Sequence, residues 1–165
     1  MATVEFDMDK ILKGVENIGL LEHEIDSANR QAMTELYYKA DAHIDTLAQG
    51  YGLDSSSLHK TREINFYPEY NEVSFEYTAD YAKFVEFGTG IVGENNPYPD
   101  EDVDWEYNVG DKIQPDGHWV YKDRNGKFGI TSGQPSRPIM YLTSQWAKTQ
   151  VTRTFRKYLR RISSK

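Results

Sequence analysis

Tyr81-Ala82-Lys83-Phe84-Val85-Glu86-Phe87-Gly88-Thr89-Gly90-Ile91-Val92-Gly93 is the stretch on which the fold turns. Its three glycines fit the G-x-G-x-x-G pattern, which on a strand–turn–helix would cradle a dinucleotide pyrophosphate and define a parallel α/β sheet. Both flanks argue against that context. Upstream, Tyr81, Phe84, Val85 and Gly88 fall three and four apart and predict a short helix ended by Gly88 rather than a strand. Downstream, Glu94-Asn95-Asn96-Pro97-Tyr98-Pro99 offers no helix start and puts negative charge where phosphates would sit. The glycines are therefore expected to form a tight helix-to-loop turn, with Phe84 and Phe87 in the core and no nucleotide cofactor.

Outward from this turn, the periodicity changes several times. Asp7 is placed to cap a short helix through Ile11, Leu12 and Val15, broken at Gly19. From Leu21 the positions Ile25, Ala28, Ala32, Leu36, Ala40, Ile44 and Leu47 continue a helical stripe, which Gly50 and Gly52 stop. Period two then takes over at Ile64 and Phe66 and again at Val73, Phe75 and Tyr77. With Pro68-Glu69-Tyr70-Asn71 as the turn, residues 61–78 read as an antiparallel hairpin. A second hairpin is expected from His118–Lys122 and Lys127–Thr131 around Asp123-Arg124-Asn125-Gly126, whose Asn-Gly pair tolerates positive φ. After Pro138, Leu142, Trp146, Val151, Phe155, Tyr158, Leu159 and Ile162 predict a closing amphipathic helix. The whole is an α+β chain: N-terminal helices, a small antiparallel sheet from two hairpins, and a C-terminal helix. Residues 1–165 are read as one domain, with the long acidic loop 91–117 as an insertion.

Composition bounds the function. The chain lacks cysteine, which excludes disulfides and thiolate metal sites. Its first residues lack a secretory signal, and no window is apolar enough to span a membrane, so synthesis in the cytoplasm and no membrane partner are expected. The net charge of −7 is unevenly spread. Residues 94–116 carry Glu94, Asp100, Glu101, Asp102, Asp104, Glu106, Asp111 and Asp116 against Lys112 alone, whereas residues 142–165 carry only bases.

No arrangement of residues announces catalysis. The four histidines, His23, His43, His59 and His118, form no metal-ligand pair, and neither a nucleophile elbow nor a phosphate-binding loop is present. Asp100, Asp102, Asp104, Glu106, Asn108 and Asp111 match the ligand spacing of a calcium loop, but Trp105 stands where the sharp turn requires glycine. No enzyme, metal or cofactor is expected. On the terminal helix, Arg153, Arg156, Arg160 and Arg161 are either a solvated face or a docking surface for an acidic partner. Asp100, Asp102 and Asp104 of a neighbouring copy are one such partner, in a ring where loop 94–116 meets helix 142–165 of the next subunit.

Tyr81-Ala82-Lys83-Phe84-Val85-Glu86-Phe87-Gly88-Thr89-Gly90, followed later by Gly133-Gln134-Pro135-Ser136-Arg137-Pro138-Ile139, resembles a family of small neck or minor tail proteins of tailed bacteriophages, the gene-product-ten type of lambdoid coliphages. Trp119-Val120-Tyr121-Lys122 sits where that family has a Trp-x-Tyr hairpin. The order of the N-terminal helix and first hairpin also agrees, so the resemblance spans most of the chain, although only the two motifs are specific. Ser56-Ser57-Leu58 and Ile139 depart from the family pattern. The resemblance implies Tyr81, Glu86, Phe87, Gly88, Thr89, Gly90, Trp119, Gly133, Pro135 and Pro138 as structural motif residues. It also implies a non-catalytic virion component, acting at the neck or tail in tail completion or head–tail joining beside other neck and tail proteins. Pro135 and Pro138 are expected to hold their segment extended, its backbone pairing with a sheet edge or a neighbouring subunit, and the Gly88–Gly90 turn is expected beside it. Two alternatives are DNA contact through the basic helix in a neck channel, and a small calcium- or sugar-handling enzyme.

Overall fold

The computed structural model describes residues 2–7, 22–58, 60–67, 69–107, 118–122 and 125–163. The molecule is α+β, as its alternating periods predict. The sequence reads as one domain; the chain divides into two compact units, Met1–Thr78 with Met140–Lys165, and Ala79–Ile139.

The first unit is organised by helix α1, Glu22–Gly50. Its stripe Ala28, Ala32, Leu36, Ala40 and Ile44 is buried as the four-residue spacing requires, joined by Met33 and Ala48. Four of these seven are alanine, which lets neighbouring backbones approach closely. The helix ends in a Schellman turn: Gly52, at φ 71°, donates its N–H to Gln49 O at 2.9 Å, and Leu53 N–H reaches Ala48 O at 2.8 Å. Asp54 then caps a single 3₁₀ turn, Ser55–Leu58, accepting from the Ser56 N–H at 3.0 Å and the Ser56 hydroxyl at 2.8 Å, and Leu58 is fully buried.

Strand β1 spans Ala2–Asp7, β2 Lys60–Phe66 and β3 Tyr70–Tyr77, in the antiparallel order β1-β3-β2. The expected hairpin forms with Ile64 opposite Val73, while Pro68 of its turn lies outside the described residues. In β3, Asn71, Val73 and Phe75 are buried and alternate with more exposed neighbours, the signature of a sheet with one face covered. Tyr37 of α1 stacks on Phe75 at 5.7 Å, and Arg30 lies over the Phe66 ring at 4.7 Å. Lys60 and Arg62 at the start of β2 pair with Asp41 on α1, and Lys60 also reaches Asp45 at 2.8 Å.

Strand β1 was not expected. Asp7, read as a helix cap, is the last residue of a strand whose Val4 pairs with Val73. Val4 and Phe6 do alternate with Thr3 and Glu5, but a six-residue edge strand is specified by the partner it meets some seventy residues later, not by local pattern. The helix expected over Ile11, Leu12 and Val15, and its break at Gly19, lie outside the described residues, as does Leu21.

Most of the last helix, here α4 (Ile139–Ser163), belongs to the first unit. Its buried seam is Thr143, Ala147, Val151, Thr154 and Phe155, while Leu142, Trp146, Tyr158, Leu159 and Ile162 are only half-buried. It runs antiparallel to α1: Trp146 stacks on His43 at 4.7 Å with Thr143 Oγ1 3.2 Å from the His43 Nδ1, and further along Lys157 and Tyr158 reach Glu35. Burial holds the His43 imidazole below its usual pKa.

The second unit holds two short helices, α2 (Ala82–Phe87) and α3 (Gly90–Asn95), and a hairpin of β4 (Trp119–Lys122) with β5 (Phe128–Thr131). The tip residues Asp123 and Arg124 lie outside the described residues, while Gly126 has the expected positive φ. The two hairpins do not share a sheet: one gains β1 to become three-stranded, and the other stays two-stranded.

Candidate functional site

Helix α2 ends at Gly88, as its spacing predicts. Gly88 sits at φ 83° and ψ 173°, a conformation open in practice to glycine alone, and its N–H closes on Phe84 O at 3.0 Å. Downstream the expectation fails, because helix α3 begins at Gly90. The four residues Gly90–Gly93 start it before Glu94 is reached, and Pro97 falls only after its end. The arrangement still cannot cradle a pyrophosphate. The amides at the start of α3 are already engaged by protein carbonyls: Gly90 N–H donates to Tyr107 O at 2.6 Å, Val92 N–H to Ser132 O at 3.1 Å and Gly93 N–H to Thr89 O at 2.9 Å.

Between the helices Thr89 is extended and forms a reciprocal bridge with Gln134. Thr89 N–H donates to Gln134 O at 2.9 Å, and Gln134 N–H to Thr89 O at 3.1 Å. The two sequence motifs are therefore in contact, as the resemblance implied. Within the chain, the 133–137 segment pairs with Thr89 and the end of α2 rather than with a sheet edge. A six-residue helix leaves its last carbonyls without intrahelical donors, and this segment supplies donors to them. Arg137 N–H donates to Val85 O at 3.0 Å and Ser136 Oγ to Glu86 O at 2.7 Å, while Gln134 Nε2 adds a second donor, at 2.9 Å, to the Phe84 O that Gly88 already reaches. Just past the helix, Gly88 O accepts from Trp105 Nε1 at 3.0 Å.

Gly133 is the closest approach in the knot. It lies at φ 104°, and a methyl group built on it would overlap the Thr89 carbonyl. Among the motif residues, Glu86, Gly88, Thr89 and Gly90 are buried, Gly133, Pro135 and Pro138 are half-buried, and Tyr81 is exposed. Trp119 contributes its backbone to the pair with Thr131. Gln134, Ser136, Trp105 and Tyr107 do as much of the joining and were not singled out. Gln134 and Ser136 lie between motif residues that were named, and Trp105 is the aromatic interrupting an acidic run.

Phe84 and Phe87 are half-buried rather than core. They belong to an aromatic cluster in which Phe87 stacks on Trp105 at 4.8 Å and meets Tyr98 edge-on at 4.6 Å. The Tyr107 hydroxyl accepts from Tyr98 N–H at 3.0 Å. Trp105 and Tyr107 thus fasten the acidic loop, and Glu101, Asp102, Asp104 and Glu106 remain exposed. Asp100 is half-buried and accepts the Asp102 N–H at 3.2 Å. No group of three or more metal-ligating side chains gathers among the described residues, and the calcium-template positions Asn108 and Asp111 lie outside them.

In the first unit, α4 turns Arg153, Arg156 and Arg160 to one side, where with Glu35, Lys39 and Lys157 they line an open groove of about 820 Å³. Arg161 is on another face, over the Tyr158 ring at 5.1 Å. The helix therefore brings together three of the four arginines marked in the sequence. At the groove, Glu35 accepts from Lys157 at 2.5 Å, from Lys39 at 2.6 Å and from the Tyr158 hydroxyl at 2.8 Å. Those contacts, the Lys157 ammonium foremost, lower its pKa from 4.5 to about 2.

The unfolded chain consequently takes up a proton at Glu35 before the folded one does. The stability due to this group is complete above pH 4.5 and is lost as pH falls towards about 2. Glu35→Gln should be less stable than wild type at neutral pH. Between these two pH values its urea midpoint should fall less steeply than that of wild type; equal slopes would show that Glu35 is not held by the two lysines.

No helix among the described residues is long and apolar enough to cross a membrane. Comparison with protein-family models, curated proteins and solved structures gave no match.

Proposed function

We propose that this chain is a structural virion component of a tailed bacteriophage, acting at the junction of neck and tail in tail completion or head–tail joining, and that it catalyses no reaction. The observation that carries this reading is the Thr89–Gln134 bridge. The two motifs on which the phage resemblance rests, 45 residues apart, are parts of one knot. Within that knot the polar groups of Gln134, Ser136 and Trp105 serve backbone carbonyls, as structural elements do, rather than converging on an open cavity. In this reading the knot is scaffold, and the exposed charged surfaces make the contacts with other neck and tail proteins.

Deleting the gene from the phage or prophage that encodes it, and imaging the particles by negative-stain electron microscopy, tests this. Filled heads beside unattached or malformed tails are expected. Normal infectious virions would overturn the assignment.

A further inference from the structure

We propose that the acidic loop of one copy, at Asp102, Asp104 and Glu106, docks in the Arg153–Arg156–Arg160 groove of a second copy, making a head-to-tail contact between identical chains. This rests on charge and geometry and is independent of the virion reading.

The basic surface is built by helical spacing. Positions 153, 156 and 160 recur at three and four residues, so their guanidinium groups share a face about 10 Å long. No acid occurs from residue 142 to 165, and the groove's own carboxylate, Glu35, is already held by Lys39, Lys157 and Tyr158. Arg153 and Arg156 have no carboxylate partner among the described residues.

The acidic surface is held in place from beneath. Trp105 is pinned by its stack on Phe87 and its bond to Gly88 O, and Tyr107 by Gly90 N–H and Tyr98 N–H. The residues that alternate with these anchors, Asp104 and Glu106, are left exposed, and the turn at Asp100 presents Asp102 beside them. No base lies between residues 94 and 111. A face already fixed in shape loses little conformational entropy on docking. The occupant is a second copy because the chain itself carries the complementary face: the exposed acids Asp102, Asp104 and Glu106 are opposite in sign and equal in number to Arg153, Arg156 and Arg160. The two patches differ, so the contact is heterologous and each copy keeps one patch of each sign for the next neighbour.

Sedimentation velocity of the full chain at about 50 and about 500 mM NaCl tests the proposal, since the higher salt shortens the screening length more than threefold. Wild type should associate at low salt and weaken by tenfold or more at high salt. Arg153→Glu with Arg156→Glu should be monomeric, as should Asp102→Lys with Asp104→Lys, each with an unchanged far-ultraviolet circular dichroism spectrum. An equimolar mixture of the two variants should associate again, because each supplies the charge the other needs. A monomeric wild type at low salt, variants that associate as wild type does, or a mixture that stays monomeric would overturn the contact. So would a labelled DNA duplex that binds wild type but not the arginine variant while the protein alone stays monomeric, an outcome that gives the groove to nucleic acid.

Discussion

Gly133→Ala should cost about 4 kcal/mol or more, at the severe end for a single substitution, and should open the Ala79–Ile139 unit. Two penalties combine. At φ 104° an L-residue is strained whatever the space around it. The added methyl would also overlap the Thr89 carbonyl, which is backbone and cannot swing aside. Relief requires parting Thr89 from Gln134, and with it the donors from Gln134, Ser136 and Arg137 to the end of α2. Native-state hydrogen exchange is the appropriate measurement, because it reads each unit separately. Protection should vanish at the Thr89, Gln134 and Arg137 amides and persist in α1. Retained protection at those three amides would show that the knot tolerates a side chain there. Gly50→Ala is the control: nothing lies within 4 Å of the added carbon, and the change in the last turn of α1 should be neutral or stabilising by less than about 1 kcal/mol.

Phe155→Ala should destabilise the other unit by about 3–5 kcal/mol, the usual cost of emptying a buried aromatic site. Phe155 is 2% exposed and is among the largest fully buried side chains, on the same helix that presents the three arginines. Removing it takes away the packing that seats α4 against the core. The loss should appear in the urea midpoint followed by far-ultraviolet circular dichroism, to which α1 and α4 contribute most of the helical signal. A change below about 1 kcal/mol would mean that the ring occupies a void rather than a packed site. Phe155→Leu, which keeps most of the volume, should recover more than half of the loss.

The two long helices were legible because their burial is periodic over many turns. Ala28 to Ile44 is buried where the stripe predicts. Both hairpins were legible from alternation and turn residues, but their separation into two sheets was not, since nothing in Val120 or Ile64 says which strand lies alongside. Strand β1 and helix α3 are short elements fixed by distant partners, Val73 for one and Tyr107 and Ser132 for the other. The end of α2 at Gly88 could be read locally. The donors that complete it could not, because Gln134, Ser136 and Arg137 lie about fifty residues away and carry no signal of their own for that task. Of the basic helix, the presence of a charged face was plain. That Arg161 leaves it follows from the 100° step between successive residues, and was missed by treating the four arginines as one group.

The lacing of α2 by residues 134–137 also sets an order of events during synthesis. A six-residue helix is far below the length that persists alone in water, and the donors for its last carbonyls lie in a segment the ribosome delivers only about fifty residues later. Until Arg137 has cleared the exit tunnel, the Tyr81–Gly90 stretch remains an unfinished chain with its half-apolar face available to chaperones. Closure of the end of α2 therefore waits until the chain has been translated through Arg137.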